Sequence, residues 1–231
     1  MATVAKFYLL DAATPNTGTM PTGVFIASSD STGDATGART ARDATDVAGS
    51  SSPDLESTIT AVANTTLQNW GHRRFVSRPL AAQTFASTDG NWTFSYARSE
   101  SNTNHNQQIV LHAYPWRPST GLRVSTGLVN VTGTEPTAAS TEQTESLTAA
   151  WSATSVTILD GDILVFEVST TFTQGMATAY TDTFDYNGTT EASTTTCATF
   201  VTPPAALELF TPLLLNIYSK KRMKTQTKAR L

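Results

Sequence analysis

Short apolar stretches separated by turn signals follow one another through residues 154–210, with no helical pattern between them. Asp160-Gly161 and Asn187-Gly188 are dipeptides that favour tight turns between strands. Between them, residues 163–168 are apolar on both faces except at Glu167, which is typical of a strand covered on both sides. This ordering predicts an antiparallel all-β protein.

The clearest alternation lies upstream, in residues 91–98. Trp92, Phe94 and Tyr96 fall on one face of the predicted strand and small or hydroxyl residues on the other. We therefore expect these three aromatic side chains in the core. Along the whole chain, roughly ten short strands at 8–12-residue spacing favour a sandwich or barrel, and we predict an antiparallel, jelly-roll-like β-sandwich.

A chain of 231 residues fits one large β-sandwich, which we assign to residues 1–210. Within it, residues 28–56 carry only Val47 and Leu55 as large apolar residues. Structureless loops longer than about 12–15 residues are uncommon in compact domains. We interpret 28–56 as a long flexible loop, or as an arm that lies across a neighbouring subunit. Residues 211–231 form a C-terminal extension, apolar and then basic.

The charges divide sharply between the body and this extension. All 19 acidic residues lie at or before Glu208, whereas six of the 15 Lys and Arg residues lie in the last twelve positions. Docking of the extension on a protein neighbour and plain disorder both fit this pattern. Nucleic acid is disfavoured because no aromatic residue interleaves with the basic ones. The residues predicted to bind a partner are Leu213, Leu214, Leu215, Ile217, Tyr218, Lys220, Lys221, Arg222, Lys224, Lys228 and Arg230.

Catalytic and metal-binding signals are weak. His72, His105 and His112 form no metal-ligand spacing; we expect His112 to be structural and His105, in a polar loop, to be solvated. The sequence has neither a Gly-x-Ser-x-Gly elbow nor a glycine-rich phosphate loop. Asp160 and Asp162 flank Gly161 and are better explained as turn residues than as cation ligands. We predict no catalytic residue, no metal and no cofactor.

Carbohydrate binding is the strongest alternative to a purely structural role. Tyr114, Trp116 and Arg117 stand together where a predicted strand meets a proline-rich loop. Exposed aromatic rings at such a position stack on sugars, whereas a buried Trp116 would instead cap the end of the core. The sequence favours the core interpretation and leaves the glycan site as the alternative.

No apolar leader precedes a cleavage site near Met1, so we expect synthesis in the cytoplasm without a signal peptide. The apolar run at residues 212–218 is far shorter than the roughly 20 residues that span a bilayer. We therefore predict no membrane association.

Several turn and core motifs resemble those of a family of tailed-bacteriophage virion proteins. They are Phe-Tyr-Leu at 7–9, Arg-Phe-Val-Ser-Arg-Pro-Leu at 74–80, Trp-Thr-Phe at 92–94, Tyr-Pro-Trp-Arg-Pro-Ser at 114–119, Gly-Asp-Ile-Leu-Val-Phe-Glu-Val at 161–168, the stretch 178–190 and Pro-Pro-Ala-Ala-Leu-Glu-Leu-Phe at 203–210. The resemblance covers most of residues 3–210 and implies a jelly-roll-like domain built into a phage particle.

These observations lead to one expectation and one alternative. We expect a non-enzymatic virion structural protein that self-associates and binds other virion proteins at the head, neck or tail of the particle, for instance as a capsid decoration. The alternative is a receptor- or glycan-binding module on the virion surface.

Overall fold

The computed structural model describes residues 3–10, 41–45, 55–61, 69–127, 129–172, 178–186 and 199–210. Apart from one 3-10 turn at Thr103–His105, the regular structure in these ranges is entirely β. The strands are β1 (Thr3–Val4), β2 (Phe7–Leu9), β3 (Ala41–Thr45), β4 (Leu55–Ala61), β5 (Asn69–Ser77), β6 (Gln83–Ala86), β7 (Asn91–Glu100), β8 (Gln107–Arg117), β9 (Leu122–Arg123), β10 (Val129–Thr132), β11 (Gln143–Ala150), β12 (Ser155–Ile158), β13 (Ile163–Phe172), β14 (Tyr180–Tyr186), β15 (Phe200–Thr202) and β16 (Leu207–Glu208).

Twelve strands form one large sheet in the order β10-β8-β13-β5-β3-β2-β15-β7-β14-β4, with β11 added to β7 and β9 to β8. The pairs β1–β16 and β6–β12 form two small sheets. Every pairing between described strands is antiparallel except that of β3 with β5. Several neighbouring strands, such as β13 with β5 and β7 with β14, lie far apart in sequence, as the Greek-key connections of a jelly roll require.

The large sheet folds into two layers, and each of its ends lies close to a strand of the other half: β10 to β11 and β4 to β5. On the edge of β7 opposite β11, β15 pairs with the first half of the strand and β14 with the second half. Side chains from the two layers meet in the interior: the ring centroids of Phe7 and Phe166 are 5.3 Å apart and those of Phe75 and Tyr186 are 5.8 Å apart. The predicted all-β sandwich is confirmed.

Strand β13 occupies the middle of its layer, as its two apolar faces predicted. It hydrogen-bonds to β8 along one edge and to β5 along the other. Leu164 and Phe166 point into the core, whereas Val165 belongs to a second apolar cluster with Val76. Opposite β5 the register shifts between Val168 and Ser169, which pair with Arg73 and Gly71, so His72 is the extra residue of a β-bulge.

The beginning of the chain forms two short strands, β1 and β2, separated by two residues, and Val4 and Phe7 are both buried. The segment 28–56, predicted as a loop or arm, contains β3, which lies between β2 and β5 in the sheet, and the start of β4. Asp89-Gly90 turns the chain between β6 and β7, which belong to different sheets and do not form a hairpin.

The Asp160-Gly161 turn is confirmed, and Gly161 has the positive φ of 90° that favours glycine there. Asn187-Gly188 and the C-terminal extension 211–231 lie outside the described residues. Within the described ranges, no helix has the length and apolar character needed to cross a membrane.

Candidate functional site

The inward face of β7 carries both aromatic and charged side chains. Trp92, Phe94 and Tyr96 are 3%, 1% and 0% exposed, which confirms the predicted core positions. The same face continues with Arg98 and Glu100, which are also buried. The period of two that places three aromatic rings inside therefore also places two charged groups inside.

Four polar side chains from different strands meet next to the charged end of β7. They are His72, Gln107, Thr170 and Asp182, and we call them the polar cluster. His72 Nε2 lies 2.9 Å from Asp182 Oδ2 and 2.8 Å from Thr170 Oγ1. Thr170 donates its hydroxyl proton to the same carboxylate, and Gln107 Nε2 donates to its other oxygen. All four side chains are buried, and the hydrogen bonds join β5, β8 and β13 in one layer to β14 in the other.

The polar cluster contains the residue types of a nucleophilic triad but not its geometry. In a triad, the acid and the hydroxyl bind opposite nitrogens of the imidazole. Here Thr170 and Asp182 share Nε2 of His72, and the hydroxyl donates to the acid. The side chains of His72 and Asp182 are both 0% exposed. This arrangement satisfies buried polar groups and holds two layers together, and it presents no nucleophile to solvent.

Two further titratable groups border the polar cluster. Glu100 is 1% exposed, and within the described part of the chain neither of its carboxylate oxygens has a hydrogen-bonding partner. Burial, followed by the charges of Glu135 and Asp182, raises the pKa of Glu100 to about 7, and Arg98 opposes the shift. A carboxyl group with such a pKa is partly protonated at neutral pH, whereas an ordinary one is fully charged.

His105 lies on the other side of the polar cluster, where its ring stacks on Phe172 with centroids 5.0 Å apart. Burial lowers the pKa of His105, while Asp182 and the backbone of Thr181 oppose the shift. The expectation that His105 is solvated is wrong: it is 0% exposed, because the 3-10 turn folds the polar loop inward.

The opposite face of β13 carries a second buried ionic group. Arg74 donates from Nε and Nη2 to Glu167 Oε1 at 2.9 and 2.6 Å, and the Tyr114 hydroxyl donates to the same oxygen at 2.7 Å. Burial, followed by the charge of Glu167, raises the pKa of Tyr114. Glu167, the one polar residue within 163–168, is therefore held by two neighbouring strands. His112 lies on β8 close to this group and is 6% exposed, a buried position that fits its predicted structural role.

At one end of the sandwich, Asp162 ties two turns together. Its carboxylate accepts from Arg117 Nε and Nη2 at 2.9 and 2.8 Å, and also from the backbone N–H of Leu159 at 2.8 Å. Asp160 accepts from the backbone N–H of Ala82 at 2.7 Å. Both carboxylates thus stabilise turn backbone, and among the described residues no group of three or more His, Cys, Asp or Glu is arranged to hold a metal ion.

The three residues considered for glycan binding do not form a shared surface. Tyr114 is 3% exposed and bonded to Glu167, and Arg117 is paired with Asp162. Trp116 is half-buried against the apolar cluster that includes Ile163. Trp116 therefore packs on this second cluster, on the face of the sheet opposite the main core. The residues predicted to bind a partner, Leu213 to Arg230, lie outside the described residues.

The sequence did not predict the polar cluster. Its members are separated by up to 110 residues, and the bulge that turns His72 inward leaves no recognisable signal in one sequence. The one available hint was the presence of polar residues at inward positions of regular strands. Arg98 and Glu100 are such residues, because they follow Trp92, Phe94 and Tyr96 at the same two-residue spacing.

Comparison with known proteins gives a limited result. No protein-family model and no curated protein matches the chain. Among solved structures, an α-amino acid ester hydrolase shares 10% identity over 87% of this chain and 36% of that chain, with a TM-score of 0.46. An aminopeptidase from a marine sediment Thaumarchaeota archaeon shares 7% identity over 69% and 34%, with a TM-score of 0.44.

A structure of infectious bursal disease virus, Gx strain, is also similar, with 10% identity over 81% of this chain and 52% of that chain and a TM-score of 0.32. The chain thus spans about a third to a half of the length of these three proteins. This group contains both hydrolases and a virus, and all three TM-scores are below 0.5. The comparisons therefore do not select a function.

Proposed function

We propose that this chain is a non-enzymatic structural protein of a tailed-bacteriophage particle, self-associating and attached to the head, neck or tail. The observation that carries the proposal is that the histidines, and the polar side chains bound to His72, are buried in the interior. All three histidines of the chain are at most 6% exposed, and His72 binds an acid and a hydroxyl that are themselves buried. The hydrogen bond from His72 to Asp182 connects the two layers of the sandwich.

The motifs that resemble phage virion proteins support the same role. Where the structure describes them, they form strands of the sandwich and the turns between them; residues 74–80 and 161–168, for example, lie side by side at the Leu80–Asp162 backbone contact. Motifs that build strands and turns fit a building block.

The receptor- or glycan-binding alternative receives less support. It needs an open aromatic platform, and Tyr114 is buried while Arg117 is held by Asp162. Trp116 alone, half-buried, offers a small area for stacking on a sugar ring.

The test is detection of the protein in purified particles of the phage that encodes it. After density-gradient purification, quantitative mass spectrometry should find the chain at a fixed ratio to the major capsid protein, and gold-labelled antibody should mark one site on the particle. A protein that stays in the host lysate and is missing from purified particles would contradict the proposal.

A further inference from the structure

The connection between β10 and β11 crosses from one layer of the sandwich to the other beside Glu100. It comprises residues 133–142, which we call the crossing loop. At its start, Gly133 donates its N–H to Ile109 O on β8 at 2.8 Å, and near its end Ser140 donates its N–H to Glu100 O on β7 at 2.6 Å. The crossing loop therefore spans the two layers at the end of β7 whose inward face is charged.

Glu100 lies between this loop and β14. It is directly opposite Asp182 in the β7–β14 pair, so the two carboxyl groups point to the same face of the sheet. On the other edge of β7, the pairing with β11 ends at Arg98, and the contact from Ser140 follows it. Glu100 is consequently 1% exposed although it is the last residue of its strand.

The surroundings of Glu100 favour its neutral form. Two acids, Glu135 of the crossing loop and Asp182, and one base, Arg98, act on its carboxyl group. Arg98 also lies 3.2 Å from Glu145, so its positive charge is shared between two carboxyl groups. Within the described residues, neither carboxylate oxygen of Glu100 has a hydrogen-bonding partner. Ionisation of Glu100 under this cover adds a negative charge that is buried, poorly solvated and close to two like charges.

The crossing loop is the more easily displaced of the two covers. Strand β14 is paired with β7 along one edge and with β4 along the other. In the loop, residues 137 and 139–141 are exposed, and Thr137 donates its N–H to the side chain of Gln143 at 3.2 Å. Exposed segments held by solvent-accessible hydrogen bonds open at a lower free energy than paired strands. Water therefore reaches Glu100 at the smallest cost when the loop moves.

We propose that the crossing loop is a pH-operated lid over Glu100, closed while this carboxyl group is protonated and open once it is ionised. Opening gives the carboxylate the water that it lacks under the loop and moves Glu135 away from it. Opening also exposes Pro136, which is buried in the closed loop.

The pH range of the opening follows from the two states of Glu100. Burial, followed by the charges of Glu135 and Asp182, raises its pKa from 4.5 to about 7. Between these values each pH unit favours the open loop by up to about tenfold, and above pH 7 the effect levels off. His72 and His105 also act on Asp182, so they titrate at the same end of the interior. Glu100→Gln retains both histidines and separates their contribution from that of Glu100.

Hydrogen–deuterium exchange of the full-length protein tests the lid. Backbone amides of the crossing loop that donate hydrogen bonds, those of Thr134, Thr137 and Ser140, report whether it is closed. After correction for intrinsic exchange, we expect their protection in wild type to fall roughly tenfold or more between pH 5 and pH 7. Glu100→Gln should keep its protection over this range, because glutamine does not ionise, and Glu208→Gln, at an exposed position, should behave as wild type. Constant protection in wild type, or an equal fall in Glu100→Gln, would overturn the proposal.

Low urea separates opening of the loop from unfolding of the whole protein. A local opening exposes little surface, so at pH 7 exchange in the loop should be unchanged up to about 1 M urea, while exchange in β13 accelerates. Equal acceleration in both segments would mean that the loop opens only when the protein unfolds, and the lid would be wrong. Glu135→Gln provides a second variant on the partly exposed loop itself. It removes one of the two like charges, so the fall in protection with pH should be smaller than in wild type, and an undiminished fall would contradict the proposal.

Discussion

The two halves of β7 show two ways of filling one interior. Toward Asn91, Trp92 packs with Phe85 and Trp151 at ring distances of 5.3–5.9 Å. Toward Glu100, the same inward face meets the polar cluster around Asp182. The aromatic half is stabilised by close packing, so truncating one side chain should destabilise it most. The polar half is stabilised because each buried donor has an acceptor, so removing one hydrogen-bonding partner should destabilise it most.

The largest expected effect is at the aromatic half. Trp151 is 1% exposed and contacts both Phe85 and Trp92, so Trp151→Ala removes the side chain against which both of these rings pack. We expect the free energy of unfolding to fall by about 4 kcal/mol, the usual range for a buried tryptophan. Urea unfolding at pH 7 measures this loss. The matched control is Trp116→Ala at a half-buried position, and an equal loss there would show that the cluster is not special.

The next effect tests the polar half. Asp182→Ala leaves His72 and Gln107 buried without the carboxylate that accepts from them. We expect a loss of about 3 kcal/mol, because breaking a buried network from one side leaves its other members unsatisfied. Asp160→Ala is the control; it removes an exposed carboxylate that also accepts an N–H, and we expect a loss below about 1 kcal/mol. Similar losses in both variants would refute the contrast between the halves.

The aromatic half could be predicted from sequence and the polar half could not, for a physical reason. Trp92, Phe94 and Tyr96 are large, apolar and two residues apart, so burial is the only stable outcome for that face. Arg98 and Glu100 have the same spacing, but a charged residue at a strand end is ordinarily solvated. The burial of Arg98 depends on Glu145, which comes from a strand far away in sequence and lies 3.2 Å from the guanidinium group. Such long-range electrostatic compensation leaves no periodic signal.

Glu100 makes the polar half sensitive to pH. Burial raises the pKa of Glu100 from 4.5 to about 7, so between these values the folded state holds a proton that the unfolded state has released. The stability from this group is therefore complete below pH 4.5 and lost as pH rises to about 7. From pH 4.5 to pH 8 we expect wild type to lose on the order of 2–3 kcal/mol relative to Glu100→Gln.

Urea unfolding of both proteins across that range measures the difference. His105 contributes with the opposite sign, because burial lowers its pKa and protonation below about pH 6.5 favours the unfolded chain. That contribution is common to wild type and Glu100→Gln, so it cancels in their difference. Glu208→Gln, at an exposed position, is the control, and its free energy of unfolding should change with pH in the same way as that of wild type. If the free energy of unfolding of Glu100→Gln also changed with pH in the same way as that of wild type, then Glu100 would be charged in the folded protein at little cost in free energy.

The smallest effect lies where the two halves meet. Tyr96 stacks on Phe94 at 4.6 Å with its ring, while its hydroxyl donates to Glu145, which also lies 3.2 Å from Arg98. Tyr96→Phe keeps the ring and removes the hydrogen bond, so we expect a loss of about 1–2 kcal/mol. Because Arg98 still neutralises Glu145, the loss should stay below that of Asp182→Ala. A loss as large as that one, measured by the same urea curves, would place Tyr96 in the polar half; no loss at all would place it wholly in the aromatic half.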